Sequence, residues 1–146
     1  MKIKELTTIS DNEMNQLIAT WDSSVIATHH FLSPKEIADI KQYVPQAFRG
    51  VQHLIGALEN DRIKALMGIN ETKLEMLFVA ASERGKGIGS QLLQYGVTQY
   101  HIDELSVNEQ NPSARGFYEH MGFKVVSRSP LDDQGNPYPI LKMKRD

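Results

Sequence analysis

The apolar run Leu74–Val79 leads by a short connection into Arg84-Gly85-Lys86-Gly87-Ile88-Gly89, and from Gly89 to His101 the pattern turns helical. Leu93, Val97 and Tyr100 make one stripe of that helix, with Leu92 beside it. A buried strand, a glycine turn and a helix that starts on the turn call for a sheet with a helix packed across it. The unit also prescribes chemistry. Glycines let the backbone turn tightly and let a ligand approach without Cβ atoms in the way. The first N–H groups of the helix have no partner inside it, and its dipole end is positive. Together they make an anion seat suited to a pyrophosphate, with Arg84 and Lys86 adding charge. A tight strand–helix turn with solvated basic residues is the plainer reading of the same segment.

The rest of the chain supplies the other elements. Lys2–Leu6 alternates as a short strand. Ser10-Asp11-Asn12-Glu13 is a capping box, and Met14, Leu17, Ile18, Trp21 and Val25 follow at helical spacing. Ser33-Pro34-Lys35-Glu36 repeats the signature, with Ile37, Ile40 and Val44 as the apolar face and Pro45 expected to end or kink that helix. Val51–Leu58 and Arg62–Ile69 read as strands joined at Asn60-Asp61. Leu105–Val107 is a further short strand. Asn111-Pro112 starts a helix through Ala114, Phe117, Tyr118 and Met121, and Gly122 suits its C-cap. Phe123–Arg128 and Tyr138–Lys144 close the chain as strands around a turn-rich Asp132–Pro137. The expected fold is α/β: a mixed α+β sheet of about seven strands with four helices, in one domain spanning residues 1–146.

Composition removes several functions. The chain has no cysteine, which excludes disulfides, Cys-ligated zinc, iron–sulfur clusters and a cysteine nucleophile. A net charge of −2 gives no large positive field for nucleic acid. No segment approaches the roughly 20 apolar residues of a membrane span, and the start MKIKELTTIS is not a signal peptide. The expectation is a cytoplasmic protein that binds neither nucleic acid nor membrane.

Among phosphate loops, the P-loop pattern is absent, and a G-x-G-x-x-G loop fails because Ser90 stands at its third glycine. The pattern Arg/Gln-x-x-Gly-x-Gly/Ala fits Arg84–Gly89. A second block follows, Asn111-Pro112-Ser113-Ala114-Arg115-Gly116-Phe117-Tyr118-Glu119-His120-Met121-Gly122-Phe123. With Leu77-Phe78-Val79 ahead of the turn, Leu74–Phe123 resembles the coenzyme-A core of the GNAT superfamily of N-acetyltransferases. The two blocks stand in the family's order, separated by a helix and a strand. Ala80-Ala81-Ser82-Glu83 is a minor departure, since Asp, Glu or Pro often follow that strand in the family.

The resemblance implies an enzyme that moves an acetyl group from acetyl-CoA to an amine by direct attack in a ternary complex, with no metal. It implies that main-chain groups of Phe78 and Val79 pair with the pantetheine amides and supply an N–H to the developing oxyanion. Arg84, Gly85, Lys86, Gly87, Ile88, Gly89 and Ser90 would hold the pyrophosphate. Tyr118 occupies the place of the general acid to the CoA thiolate; spacing alone makes it one more inner-face aromatic. Asn111 would touch the pantetheine or phosphate arm, or simply cap the helix before Pro112. Phe117 would be core or a wall against pantetheine. For the base, Glu75 could activate a water, and a solvent-facing residue is an equal reading of its place; Glu109 is a poorer alternative.

The family builds its acceptor site from the first two helices and the loop between the last two strands. Here those are Ala27–Ser33 and Ser129–Tyr138; Ala27–Ser33, together with Gly135-Asn136-Pro137-Tyr138-Pro139-Ile140-Leu141, is similar to a small bacterial subgroup of acetyltransferases. His29 could be a base near neutral pH or an acceptor contact, or an exposed loop histidine anchored by Phe31 and Leu32; Phe31 is a further candidate acceptor contact, and Tyr138 could line the acceptor site or pack on the sheet. Asp132 and Asp133 could attract a cation or serve as turn residues. The acceptor is a small-molecule or peptide amine of unspecified identity. A homodimer through Ile140-Leu141 is an option, and the same residues suit a core strand. A non-catalytic acyl-CoA sensor on the same fold is the alternative function, and an α/β interaction domain with a merely structural glycine turn is the third.

Overall fold

The computed structural model describes residues 1–146. Both capping boxes form. Ser10 Oγ accepts the Glu13 N–H at 3.1 Å while Glu13 Oε1 accepts the Ser10 N–H at 3.0 Å. They open helix α1, Asp11–Thr28. Ser33 and Glu36 repeat the exchange at 3.1 and 2.9 Å and open α2, Pro34–Lys41. Here the expected helix count needs correction: there are five, not four. Pro45 does not end the second helix. That helix stops at Lys41, and Pro45 sits in the first turn of a separate helix α3, Val44–Gly50. A first-turn residue needs no N–H partner, so a proline starts a helix as readily as it stops one. Phe48 anchors α3, 2% exposed.

Seven strands form one sheet in the order β1-β2-β3-β4-β5-β7-β6. They are β1 (Lys2–Glu5), β2 (His53–Glu59), β3 (Arg62–Asn70), β4 (Lys73–Val79), β5 (Glu104–Asn108), β6 (Lys124–Ser129) and β7 (Ile140–Lys144). A single 3₁₀ turn, Ala81–Glu83, follows β4. Helices α4 (Ile88–Tyr100) and α5 (Pro112–His120) flank β5 in sequence. Every neighbouring pair is antiparallel except β4 and β5. Asn60 and Asp61, both at positive φ, make the tight β2–β3 turn. Gly122 at φ +96° follows the end of α5 as a C′ residue.

Helices cover both faces of the sheet, so its middle strands are buried on both sides. Alternation sends Leu54, Leu58 and Leu66 to one face, and the register shift that leaves Lys64 unpaired puts Ile63 there too, where they meet Leu17, Trp21, Val25 and Phe48. The same alternation sends Ile55, Ala57, Ala65, Met67 and Ile69 to the other, against Ile88, Leu92, Leu93 and Tyr118. Phe123, 1% exposed, closes this second cluster behind α5. Phe123→Ala should lower the unfolding free energy by about 3–5 kcal/mol, the range for emptying a phenylalanine site. A urea titration showing a loss under about 1 kcal/mol would mean that this end of the core is not closely packed. No helix is long and apolar enough to cross a membrane.

Candidate active site

Strands β4 and β5 pair only at Lys73–Glu104 and Leu74–Leu105. Beyond Leu74 they diverge, and Met76–Val79 faces Ser106–Asn108 across an open gap. A β-bulge marks the point of divergence. Gly68 of β3 pairs with Met76 and Ile69 pairs with Leu74, so Glu75 has no register partner. An extra residue on one strand bends it and re-aims its side chains. Further along, the Ala80 N–H donates to Lys64 O of β3 at 2.9 Å. Main-chain groups alternate sides along a strand. Phe78 therefore turns its N–H toward β3, and Leu77 and Val79 turn theirs into the gap. Sequence reasoning named Phe78 and missed Leu77, because the parity depends on pairing with β3.

The glycine turn stands at the open end of this gap. Gly85 and Gly87 have φ of +80° and +79°, which glycine adopts without strain, and a Cβ on either would meet nothing within 4 Å. No backbone bond is donated from Gly85 to Ser90; the series resumes where the Gln91 N–H reaches Gly87 O at 3.1 Å. The turn thus presents consecutive free N–H donors at a helix N-terminus, facing open space. That is what a pyrophosphate requires. Arg84 lines the same space. Lys86 does not: its exposed ammonium lies 3.4 Å from the carboxylate of buried Glu83.

A cleft of about 330 Å³ connects the turn with the gap. Its lining includes the expected Phe78, Val79, Arg84, Gly85, Gly87, Ile88, Gly89, Ser90, Asn111, Phe117 and Tyr118, together with His29. Thr28, from the expected Ala27–Ser33 segment, lines it too, as do Ser24, Leu77, Ser113 and Ala114, which were not named for the site. Helical spacing from the α1 and α5 residues already singled out would have found all but Leu77. Asn111 is buried and caps α5, its Oδ1 accepting the Ala114 N–H at 3.2 Å, so cap and cleft wall are one residue. The Tyr118 ring is 9% exposed and packs edge-on against Phe117 and Phe123, with centroids 5.3 and 6.2 Å away. Its hydroxyl makes no hydrogen bond in the protein and lies in the cleft wall. Burial pushes the phenol well above its ordinary pKa, so it stays protonated at neutral pH.

A smaller cavity opens on the β5 side and shares His29, Leu77, Phe78, Asn111, Ala114 and Tyr118 with the cleft. Glu75 lines only this second cavity. It is exposed and lies 3.8 Å from Lys73 Nζ. Glu109 faces elsewhere, held by Arg128 through bonds of 2.6 and 3.0 Å, which removes it as a base. Asp132 spends its carboxylate on the Gln134 and Asn136 N–H groups and shapes its own turn.

Two distant segments, residues 29–36 and Tyr138, form a wall beside the cleft. His29 stacks on Phe31 at 5.4 Å, and Phe31 on Tyr138 at 5.8 Å. The Tyr138 hydroxyl donates to Glu36 Oε2. That bond, with the Ser33 N–H, holds the Glu36 carboxyl below its usual range and raises the Tyr138 phenol. Phe31 and Tyr138 do not line the cleft itself; they extend His29 outward. No group of three or more His, Asp or Glu side chains gathers as a metal set.

Comparison with known proteins gives this geometry its context. Residues 16–144 match the acetyltransferase (GNAT) domain family. The peptidyl-lysine N-acetyltransferase YjaB of Salmonella typhimurium is 37% identical over 131 residues, 90% of each chain. The solution structure of apo-form YjaB from Escherichia coli superposes with a TM-score of 0.84 at 33% identity, covering 99% of this chain and 97% of that one. The PaiA N-acetyltransferase of Thermoplasma acidophilum, solved with coenzyme A, shares the fold at a TM-score of 0.70 and 22% identity, covering 99% of each. With the family model matched over most of its length and a relative 37% identical across 90% of it, the chain is an enzyme of the GNAT superfamily of N-acetyltransferases.

Proposed function

We propose that the protein transfers the acetyl group of acetyl-CoA directly to the ε-amine of a lysine in a peptide or protein. The observation that carries the mechanism is the Tyr118 hydroxyl, protonated, unpartnered and set in the wall of the cleft between the splayed strands. In this reading the donor's pyrophosphate rests on the N–H groups of Gly85–Ser90, with Arg84 adding charge. Leu77 and Val79 N–H groups face the pantetheine and the developing oxyanion. A preorganised donor of that kind contributes about 2.7–4 kcal/mol to acyl transfer. The amine nitrogen attacks the thioester carbon, the C–S bond breaks, and Tyr118 protonates the leaving sulfur. Asn111 and Phe117 hold the arm of the donor.

The lysine acceptor is supported by the YjaB relatives, whose names carry that activity. The aromatic wall of His29, Phe31 and Tyr138 suits the alkyl stem of such a side chain, and the Glu36 carboxylate at its outer end favours a cation. Glu75 adds negative charge at the smaller cavity. The test is acetyl-CoA turnover with a lysine-containing peptide, followed by release of free thiol. The chain has no cysteine, so a thiol reagent reports CoA alone. Thiol release that depends on the peptide lysine is the expected result. Release with small amines but not with peptide lysine would refute the acceptor assignment, and CoA binding without turnover of any amine would favour the sensor.

A further inference from the structure

We propose that His29 is the group that takes the proton from the incoming amine, through Nε2, with Thr28 fixing its tautomer; this rests on acetyl transfer to an amine, the reading given above. Thr28 Oγ1 lies 2.7 Å from Ser24 O and 2.8 Å from His29 Nδ1. A hydroxyl has one hydrogen. The carbonyl can only accept, so Thr28 donates to Ser24 O and its oxygen accepts from Nδ1–H. Nε2 then carries the lone pair, and it has no partner in the protein. The ring is held on both sides of this contact. The His29 N–H donates to Val25 O at 2.8 Å as the C-cap of α1, and the imidazole packs on Phe31.

Location selects His29 over the carboxylates. It alone among bases lines both the cleft and the smaller cavity, which meet at Tyr118. Glu36 is engaged by Ser33 and Tyr138, Glu109 by Arg128, and Glu75 sits exposed beside Lys73. The charged and titratable groups that face His29 are His30 on its own turn, Arg84 and Tyr118 in the cleft, Glu75 across the smaller cavity, and Tyr138 with Glu36 beyond Phe31. Burial, aided by His30, holds the imidazole below its ordinary pKa, so the ring is neutral at pH 7.

The proton count closes. An alkylamine of pKa about 10 arrives as the ammonium ion. Its first proton passes to His29 Nε2 and on to solvent, and the freed lone pair attacks the thioester carbon. A second proton leaves nitrogen as the amide forms, replacing the one that Tyr118 gives to sulfur. One proton is released overall.

The test is the pH profile of kcat/KM with acetyl-CoA and a lysine peptide for the wild type, H29Q, T28V and E75Q. Wild type should show an acid limb below the usual histidine value of about 6.5 and a plateau above it. H29Q should lose about 10²-fold at pH 7, with its limb moved up to follow the amine near pH 10 and CoA affinity retained. T28V should lose part of kcat at unchanged KM, and E75Q should keep the wild-type limb. An H29Q profile that superimposes on wild type overturns the proposal, as does a limb that vanishes in E75Q instead. If H29Q does not fold, T28V with wild-type kcat overturns it. If wild type acetylates only small amines, the lysine assignment fails and the same profiles on such an amine decide about His29. If it acetylates no amine, both readings fall.

Discussion

Tyr118→Phe should lower kcat by about 10³-fold, the middle of the range for a positioned general acid, and leave the CoA dissociation constant unchanged. The reasoning starts from what the substitution removes. The ring's contacts with Phe117 and Phe123 are made by carbon, and phenylalanine keeps them. The hydroxyl has no partner in the protein, so its loss orphans no donor or acceptor and the fold should be as stable as before. Only the proton held at the cleft wall is missing. The thermal midpoint should therefore hold while turnover collapses. Turnover within a few-fold of wild type would assign the sulfur's proton to solvent and return Tyr118 to the core.

The chemical half of the site was legible in the sequence, and the pairing-dependent half was not. Two blocks, Arg84–Gly89 and Asn111–Phe123, carry the anion turn and the phenol: the glycines and the asparagine answer to their own helix starts, whereas spacing alone leaves Tyr118 an inner-face aromatic and the family resemblance singles out its hydroxyl. The structure brings the blocks together: a Cβ on Gly89 would lie 3.5 Å from Val79 Cγ2 and 3.7 Å from Phe117 Cζ. The capping boxes were equally plain, since each bond spans three residues. What failed to show was anything set by a neighbour strand. The bulge at Glu75 and the inward parity of Leu77 exist only in register with Gly68 and Ile69. Pro45 misled because its missing N–H suits either side of a helix boundary, and only the burial of Phe48 decides that a new helix follows. The wall of His29, Phe31 and Tyr138 draws on loops more than a hundred residues apart, and no spacing rule reaches that far.

Gly87→Glu should weaken acetyl-CoA binding by about 10³-fold, and Gly87→Ala should separate the causes. Both variants force a side chain onto φ +79°, at a cost of roughly 1–2 kcal/mol in stability. Neither clashes with protein, since a Cβ there meets nothing within 4 Å. Their thermal midpoints should therefore fall together. Binding should not. The glutamate side chain enters the space that the N–H groups of Gly85–Ser90 face, brings a like charge to an anion's seat, and can cap those donors itself. Losing two charge-assisted bonds at about 1.5–3 kcal/mol each corresponds to 10²–10⁴ in the dissociation constant. Alanine keeps the donors free, so its binding should follow its stability and remain close to wild type under conditions where it is folded. Calorimetry on both variants, with circular dichroism to confirm the fold, distinguishes the cases. Equal losses in the two would mean that the backbone shape of the turn, rather than its free donors, holds the donor. Unchanged binding in the glutamate variant would move the pyrophosphate away from this turn, and with it the whole alignment of the cleft.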